Sequence, residues 1–248
     1  MLVITVLSMA YITETAAATP NDSEATIKQA EIYYKGNGVA KDYAKALELL
    51  RPLANQGNAY AQYRIGTIYY LGGSGVKQDY NLAREWYKES ASQGNSNAQL
   101  NLGSMYFGGD GVFQDYPKAF EWYQKSAAQE RADAQYALGM MYVHGLGVTQ
   151  SDTKAFEWYQ KSAAQGYADA QLALGFMYEQ GQGVTQSDTK SIEWYLKSAA
   201  QGNADAENNL GAKYAKGKGV TQSYTKAIEW YLKSAAKGNA DAQFALGL

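Results

Sequence analysis

Three recurring patterns place side chains that could do chemistry at regular positions. A Gly-x-Gly-Val sequence occurs six times, as in residues 145–148, and a glycine-rich loop of this kind can cradle a phosphate. A Trp-Tyr pair occurs five times, as in Trp158 and Tyr159, and aromatic faces can stack on sugars or bases. Each tryptophan follows a glutamate, such as Glu157, and carboxylates can act in acid–base catalysis.

Each pattern also has a structural interpretation, which the surrounding residues favour. The Gly-x-Gly-Val sequences lack both a preceding strand and the lysine of a P-loop, so we predict that they are turns. Regular recurrence of the Trp-Tyr pairs is typical of packing between repeats. Four of the glutamates precede a lysine by four residues, as Glu157 precedes Lys161, and this spacing predicts surface ion pairs on a helix. No combination of nucleophile, base and orienting residue is evident.

The composition excludes several other classes of function. The 248 residues include 22 Lys and Arg, 24 Asp and Glu, one histidine and no cysteine. A formal net charge of -2 lacks the basic footprint of a nucleic-acid-binding protein or of a polybasic membrane-binding segment. The missing cysteines exclude disulfides, thiol nucleophiles and cysteine metal ligands, and the lone His144 excludes a His-pair metal site. We therefore expect no metal, no cofactor and no catalytic residue.

An internal repeat organises the chain. The tryptophans recur every 36 residues, at Trp86, Trp122, Trp158, Trp194 and Trp230. A period of this length with helical spacing of apolar residues indicates stacked helical hairpins. The sequence thus predicts an all-α solenoid of about six helix-turn-helix repeats over residues 25–248. The units are residues 25–57, 58–94, 95–130, 131–166, 167–202 and 203–238, with a partial unit over 239–248.

The unit over residues 167–202 shows how the two helices are specified. Gly181 ends the first helix, because glycine can take the left-handed conformation of a helix exit. Ser187 is placed to cap the second helix, and Gly202 closes it. The equivalent caps in the other units are Asp42, Asp79, Asp115, Ser151 and Ser223. Glu130 replaces the closing glycine of the third unit, so that hairpin is expected to end differently.

A further glycine recurs inside the first helix of five units. These residues are Gly66, Gly103, Gly139, Gly175 and Gly211. Glycine inside a helix costs about 1 kcal/mol relative to alanine, so its recurrence requires compensation. We expect a neighbouring helix to approach closely at each of these positions.

The complete unit resembles a known family. It reads Ala-Asp-Ala-Gln-x-x-Leu-Gly-x-Met-Tyr-x-x-Gly-x-Gly-Val, followed by Lys-Ala-x-Glu-Trp-Tyr-x-Lys-Ser-Ala. This pattern resembles the Sel-one-like repeat (SLR), a subclass of the tetratricopeptide-like helical repeats. The resemblance covers residues 25–248, with a degenerate first unit in which Leu49 replaces the tryptophan and Ala30 the helix glycine. It implies a right-handed α/α superhelix whose first helices line a concave groove.

Differences between the copies point to binding residues, because packing requires the copies to agree. The first helices differ most at positions three and four residues apart, which share one helix face. By the resemblance, that face lines the groove. The predicted partner-binding residues are Arg64, Thr67, Asn101, Ser104, Phe107, Met140, His144, Phe176 and Gln180. Neutral surface variation is the alternative explanation of the same differences.

The amino terminus has the pattern of a secretory signal peptide over residues 1–18. An apolar segment over residues 2–11 precedes the small residues 16–18, which suit a cleavage site. No Lys or Arg precedes Lys28, so the usual basic start is missing, and a helix docked on the first repeat is the alternative. Residues 19–24 are predicted to be a flexible start. Cleavage would make the protein periplasmic or secreted, without a membrane span, and otherwise it would be cytoplasmic.

Three classes of function remain. The resemblance favours a non-enzymatic scaffold or adaptor that binds a peptide or protein segment in its groove. Such bacterial proteins act in envelope, virulence or host-contact processes, and some are immunity factors for secreted toxins. The resemblance also implies weak β-lactam binding or hydrolysis, but the members with that activity carry paired cysteines, which this chain lacks. A carbohydrate or peptidoglycan binder that uses exposed tyrosines is the third class. No nucleic-acid partner is expected.

Overall fold

Short polar residues fix where each second helix begins. In a computed structural model that describes residues 20–248, a side-chain oxygen of each predicted cap accepts a hydrogen bond from the amide three residues on. Asp42 Oδ1, for example, accepts from the amide of Lys45 at 2.9 Å. The six predicted caps are thus confirmed, and each contributes about 1 kcal/mol of stability.

The described residues form thirteen helices that pair along the chain. The helices are α1 (Pro20–Lys35), α2 (Tyr43–Asn55), α3 (Ala59–Leu71), α4 (Tyr80–Ser92), α5 (Ser96–Gly108), α6 (Tyr116–Ala127), α7 (Ala132–His144), α8 (Asp152–Ala164), α9 (Ala168–Gln180), α10 (Asp188–Ala200), α11 (Ala204–Lys216), α12 (Tyr224–Ala235) and α13 (Ala240–Leu246). Residues 20–248 contain no strand, only an isolated bridge between Gly73 and Val76 in the second turn. The fold is therefore the predicted all-α solenoid of helical hairpins.

A tyrosine and a helix glycine meet inside each of five hairpins, and in four of them the tyrosine is buried. A Cβ atom on Gly139 of α7 would lie 2.5 Å from Cδ1 of Tyr159 in α8, closer than atoms can approach. The same contact joins Gly66 to Tyr87, Gly103 to Tyr123, Gly175 to Tyr195 and Gly211 to Tyr231. The close helix approach predicted from the glycines is confirmed. The neighbouring tryptophans are half-buried and pack on the apolar clusters between successive helices, which agrees with the predicted core role.

The Gly-x-Gly-Val sequences are turns, and four of the six stack closely on the preceding hairpin. Gly147 has φ of 68°, and a Cβ atom on it would lie 2.4 Å from the carbonyl carbon of Tyr116 at the start of α6. Gly183 contacts the backbone of Asp152 in the same way. Only glycine satisfies both the left-handed conformation and the close contact, so these residues set the spacing of the hairpins.

The predictions for the amino terminus cover residues 1–24, of which the structure describes those from Pro20 onward. The predicted signal peptide over residues 1–18 lies outside the described residues. Residues 19–24 were expected to be flexible, but α1 begins at Pro20, whose fixed φ suits the first turn of a helix. None of the helices within residues 20–248 is long and apolar enough to cross a membrane.

One local expectation is confirmed and another is wrong. Glu130 takes a positive φ of 61°, and its amide donates to the carbonyl of Ala127 as the amide of Gly166 donates to Ala163 in the next hairpin. The third hairpin nevertheless ends differently, because α6 stops at Ala127, one residue before the equivalent end of α8, and among the described residues the bond from the Tyr167 amide to the Ser162 carbonyl has no counterpart at Arg131. The predicted Glu–Lys ion pairs are replaced by cation–π contacts, in which Lys161, for example, lies 4.2 Å from the centre of the Trp158 ring. An exposed ion pair contributes little, whereas a half-buried ring offers a lysine a stronger contact.

Candidate interaction face

The first helices of successive hairpins form the surface on which the predicted binding residues lie. We call this surface, made by α3, α5, α7, α9 and α11, the first-helix face. Two cavities open on it, one between α3 and α5 and the other between α7, α9 and α11. Their linings differ in chemistry, and we call them the polar cavity and the apolar cavity.

The polar cavity brings together three of the predicted residues. It has a volume of about 380 Å³ and is lined by Tyr63, Thr67, Tyr70, Leu71, Tyr87, Asn101 and Ser104. The Tyr87 hydroxyl donates to Oγ1 of Thr67 at 3.3 Å, which fixes both groups. Burial raises the pKa of Tyr87 well above its ordinary value, so its hydroxyl stays protonated. The cavity therefore offers a partner neutral hydroxyl and carboxamide groups.

The apolar cavity contains one predicted residue, Phe176. It has a volume of about 280 Å³ and is lined by Tyr136, Val143, Tyr159, Asp169, Leu172, Ala173, Phe176, Met177, Gln182, Asp205 and Asn209. Phe176 is 48% exposed, although apolar side chains of this size are usually covered. Asp169 and Asp205 are exposed as well. The cavity is thus an apolar depression with carboxylates at its open side.

Arg64 lies on the same face but is used within the fold. Its guanidinium forms an ion pair with Glu31 of α1 and lies 4.3 Å from the centre of the Tyr34 ring. It also donates to the Tyr60 hydroxyl at 2.8 Å. Although burial disfavours the charge, the Tyr60 hydrogen bond and Glu31 hold the pKa of Arg64 above its ordinary value. This residue therefore fastens α1 to α3.

The remaining four predicted residues lie outside both cavities. Phe107 packs on Tyr116, with ring centres 5.3 Å apart, and Met140 is half-buried against the α6–α7 core. His144 and Gln180 are exposed at the carboxyl ends of α7 and α9. The structure thus brings Thr67, Asn101 and Ser104 together, and places Phe176 in a separate depression.

Sequence reasoning missed the acidic side of the apolar cavity and a buried charge cluster. Asp169 and Asp205 belong to an aspartate repeated every 36 residues, so comparison of the copies classed them as constant. Lys213 of α11 is only 2% exposed and pairs with Glu179 at 2.9 Å and with Asp188. The detectable signal was a lysine at a position where other copies have Ile68, Met105, Met141 and Met177.

Among the described residues, the first-helix face shows no arrangement of side chains for catalysis or metal binding. Neither cavity is lined by a nucleophile next to a base, as acyl or phosphoryl transfer would need. Within residues 20–248, no group of His, Cys, Asp and Glu side chains is arranged to hold a metal ion. What the face offers is shape, hydrogen-bonding groups and charge.

Comparisons with known proteins agree with this architecture. The Sel1 repeat model matches residues 23–58, 59–95, 96–130, 132–167, 168–203 and 204–239. A protective antigen present in uropathogenic Escherichia coli strains, whose structure displays an SLR fold, is 40% identical, with a TM-score of 0.82 over 91% of this chain. A Sel1 repeat protein from Oxalobacter formigenes is 33% identical, with a TM-score of 0.80 over 91% of this chain. An immunity protein from Pseudomonas aeruginosa is 19% identical over 90% of this chain and 85% of its own, with a TM-score of 0.56.

Two of the similar structures belong to proteins longer than this chain. The chain spans 48% of the Escherichia coli protein and 65% of the Oxalobacter protein. No curated protein sequence matches it. Sel1 repeats generally mediate protein–protein interactions, and no catalytic family is indicated. Because six copies of the repeat cover nearly all of the described residues, this chain belongs to the Sel1 repeat family.

Proposed function

We propose that this chain is a non-enzymatic scaffold that binds a segment of another protein along its first-helix face. The observation that carries the proposal is the pair of cavities, because both are lined by positions of the first helices that differ between copies. The glycine–tyrosine contacts beneath them are kept in five hairpins. Thr67 holds the Tyr87 hydroxyl, but no such contact among the described residues explains the exposed ring of Phe176, and recognition of a partner accounts for that difference.

The two cavities favour one extended partner over a repeated motif. A repeated motif would need the same groups in each unit, but the polar cavity offers hydroxyls and a carboxamide whereas the apolar cavity offers Phe176 and Leu172. Solenoids use such continuous faces to bind helices, loops or extended segments. A peptide or protein segment that crosses several hairpins fits this arrangement.

Export to the bacterial envelope or beyond is part of the proposal. It rests on the apolar residues 2–11 and the small residues 16–18. Amino-terminal sequencing of the protein from its native cells is expected to give a mature start near Thr19, and retention of Met1 would refute export. The immunity protein of similar fold is too distant, at 19% identity, to extend its function to this chain.

Site-specific photocrosslinking tests the binding face. A photoreactive phenylalanine analogue is placed at Ser104 or Phe176, both exposed on the first-helix face, and at exposed Gln124 or Gln160 of α6 and α8 as matched controls. In native cells, the first two positions are expected to crosslink to the same protein and the controls to crosslink weakly or not at all. Equal crosslinking from the controls, or none from Ser104 and Phe176, would refute the proposed face.

A further inference from the structure

The apolar cavity differs from the rest of the first-helix face in both hydrophobicity and charge. Phe176 lies at a position that other copies fill with Thr67, Ser104, Met140 and Ala212, so no packing rule calls for an exposed aromatic ring there. Leu172, Ala173 and Met177 of the same helix line the cavity with it. With a volume of about 280 Å³, the cavity is at the small end of ligand sites, and a single large side chain suits it.

The carboxylates beside this cavity are negative charges without a cation. Asp169 Oδ1 accepts from the Asn203 carboxamide at 3.0 Å, and Asp205 Oδ1 accepts from Asn239 at 2.7 Å. Both donors are neutral, and within residues 20–248 no Lys or Arg forms an ion pair with either aspartate. The two carboxylates therefore remain available to a cation outside the chain.

The preceding hairpin provides an internal contrast. Asp133, at the equivalent position of α7, is bound by the Arg131 guanidinium through two hydrogen bonds. Its charge is thus neutralised within the chain, whereas the charges of Asp169 and Asp205 are not. The negative charge lies at the first turns of α9 and α11, in the lining of the cavity that also holds the exposed Phe176 ring.

Neighbouring hydroxyls do not offset this charge. Burial and the Asp169 carboxylate raise the pKa of Tyr136, so its hydroxyl stays neutral at any physiological pH. Burial also raises the pKa of Tyr159, whose ring packs on that of Tyr136 with centres 5.5 Å apart. A guest in this cavity therefore meets apolar carbon, neutral hydroxyls and two carboxylates.

We propose that the apolar cavity takes a large apolar side chain of the partner, and that a lysine or arginine close to it in the same segment pairs with Asp169 and Asp205. The occupant is thus a basic–apolar peptide segment. This inference rests on the proposed function, since it specifies the partner of the same face. An apolar side chain alone would leave both carboxylates desolvated at the edge of the interface, and an acidic segment would be repelled.

Peptide selection on the full chain tests the chemistry of the occupant. Short random peptides displayed on phage are selected against the immobilised protein at low salt. The enriched peptides are expected to share a Leu, Met, Phe or Trp within three residues of a Lys or Arg. Enrichment of acidic peptides, of apolar peptides without a cation, or of no peptide would overturn the inference.

Variants then assign the binding to this cavity. A selected peptide is synthesised with a fluorophore, and its affinity is measured by anisotropy. Phe176→Ala and the double variant Asp169→Asn/Asp205→Asn are each expected to weaken binding by about tenfold, as central contacts do. Asparagine keeps the acceptor for Asn203 and Asn239, so the double variant removes charge without removing the internal hydrogen bonds. Asp133→Asn, the matched control, is expected to change the affinity less than about twofold.

A variant of the peptide tests whether its cation and the two aspartates act together. Replacing the peptide's Lys or Arg by Gln is expected to weaken binding to the wild type, and to have no further effect on Asp169→Asn/Asp205→Asn. Circular dichroism confirms that each variant is folded. Binding that depends on Asn101 but not on Phe176 or the aspartates would overturn this occupant and leave the proposed face standing. Binding that depends on none of these residues would refute the proposed function as well.

Discussion

The contact between Gly139 and Tyr159 allows a quantitative test of what holds the hairpins together. The perturbation is Gly139→Ala, which adds one methyl group inside α7. That carbon would lie 2.5 Å from both Cδ1 and Cε1 of the Tyr159 ring, whose residue is 6% exposed. The first hairpin shows the natural alternative, because Ala30 and Leu50 occupy the equivalent positions and both lie in one buried cluster.

Two opposing effects set the size of the change. Adding a methylene-sized group to a packed core costs about 1–3 kcal/mol, and the buried ring of Tyr159 cannot move aside. Alanine in a helix interior is about 1 kcal/mol better than glycine. Gly139→Ala is therefore expected to lower the free energy of unfolding by up to about 2 kcal/mol. In the Tyr159→Leu background the ring is absent, and the same substitution is expected to raise it by up to about 1 kcal/mol.

Urea unfolding of the four proteins in this cycle measures the coupling. Far-UV circular dichroism gives the urea concentration at the midpoint of unfolding and the slope of the free energy of unfolding against urea concentration. Only variants with an unchanged slope are compared, because repeat arrays can depart from two-state unfolding. Gly108→Ala is the matched control: it lies in the last turn of α5, where a Cβ atom would meet nothing closer than Asp110 at 3.5 Å. It is expected to stabilise the protein slightly. If Gly139→Ala has the same effect as Gly108→Ala, or the same effect with Tyr159 and with Leu, close packing is not the reason for the glycine.

Glu130, Lys213 and Tyr159 each give a further prediction. Glu130→Gly is expected to raise the free energy of unfolding by about 1 kcal/mol in urea, since glycine takes a positive φ without strain, and Gly166→Ala to lower it by a similar amount. Lys213→Ala is expected to lower the free energy of unfolding by about 3 kcal/mol, because it empties the buried volume of the lysine side chain and leaves the carboxylates of Glu179 and Asp188 without their cation. Lys213→Met restores the apolar residue of other copies, and this variant is expected to melt at a higher temperature than Lys213→Ala. Burial raises the pKa of Tyr159, so the unfolded chain loses that proton first as the pH passes about 10, and stability falls by up to about 1.4 kcal/mol per pH unit from this group. Tyr159→Phe is expected to make the alkaline loss of stability shallower in urea titrations at several pH values, and an unchanged slope would contradict the assignment.

Features set by short-range chemistry could be predicted from the sequence. The caps at Asp42 and Ser187, the exits at Gly181 and Gly202 and the close contact at Gly139 each depend on one residue type and its helix position. Repetition made the prediction stronger, because the same residue recurs in the same place. The backbone architecture followed from these local rules and the period of the repeat.

Features set by contacts between hairpins could not be predicted in the same way. Glu130 takes the conformation of a glycine because the helices on both sides fix the chain there. Lys161 lies on Trp158 rather than beside Glu157, since the ring is half-buried and the carboxylate is exposed. Arg64 pairs with Glu31, thirty-three residues earlier, and no sequence spacing indicates that contact.

Differences between repeat copies therefore identify binding residues only when neighbouring residues have not changed with them. Lys213 replaces a buried methionine, but Glu179 and Asp188 supply its charge partners, so the change is absorbed inside the protein. Ala30 and Leu50 likewise change together within one cluster. Phe176 has no such compensation: its ring is 48% exposed beside two carboxylates that no described cation neutralises. A substitution that no neighbouring residue compensates leaves hydrophobic surface and charge exposed to another molecule. For that reason the apolar cavity is a stronger candidate for partner recognition than Arg64, which varies equally between copies.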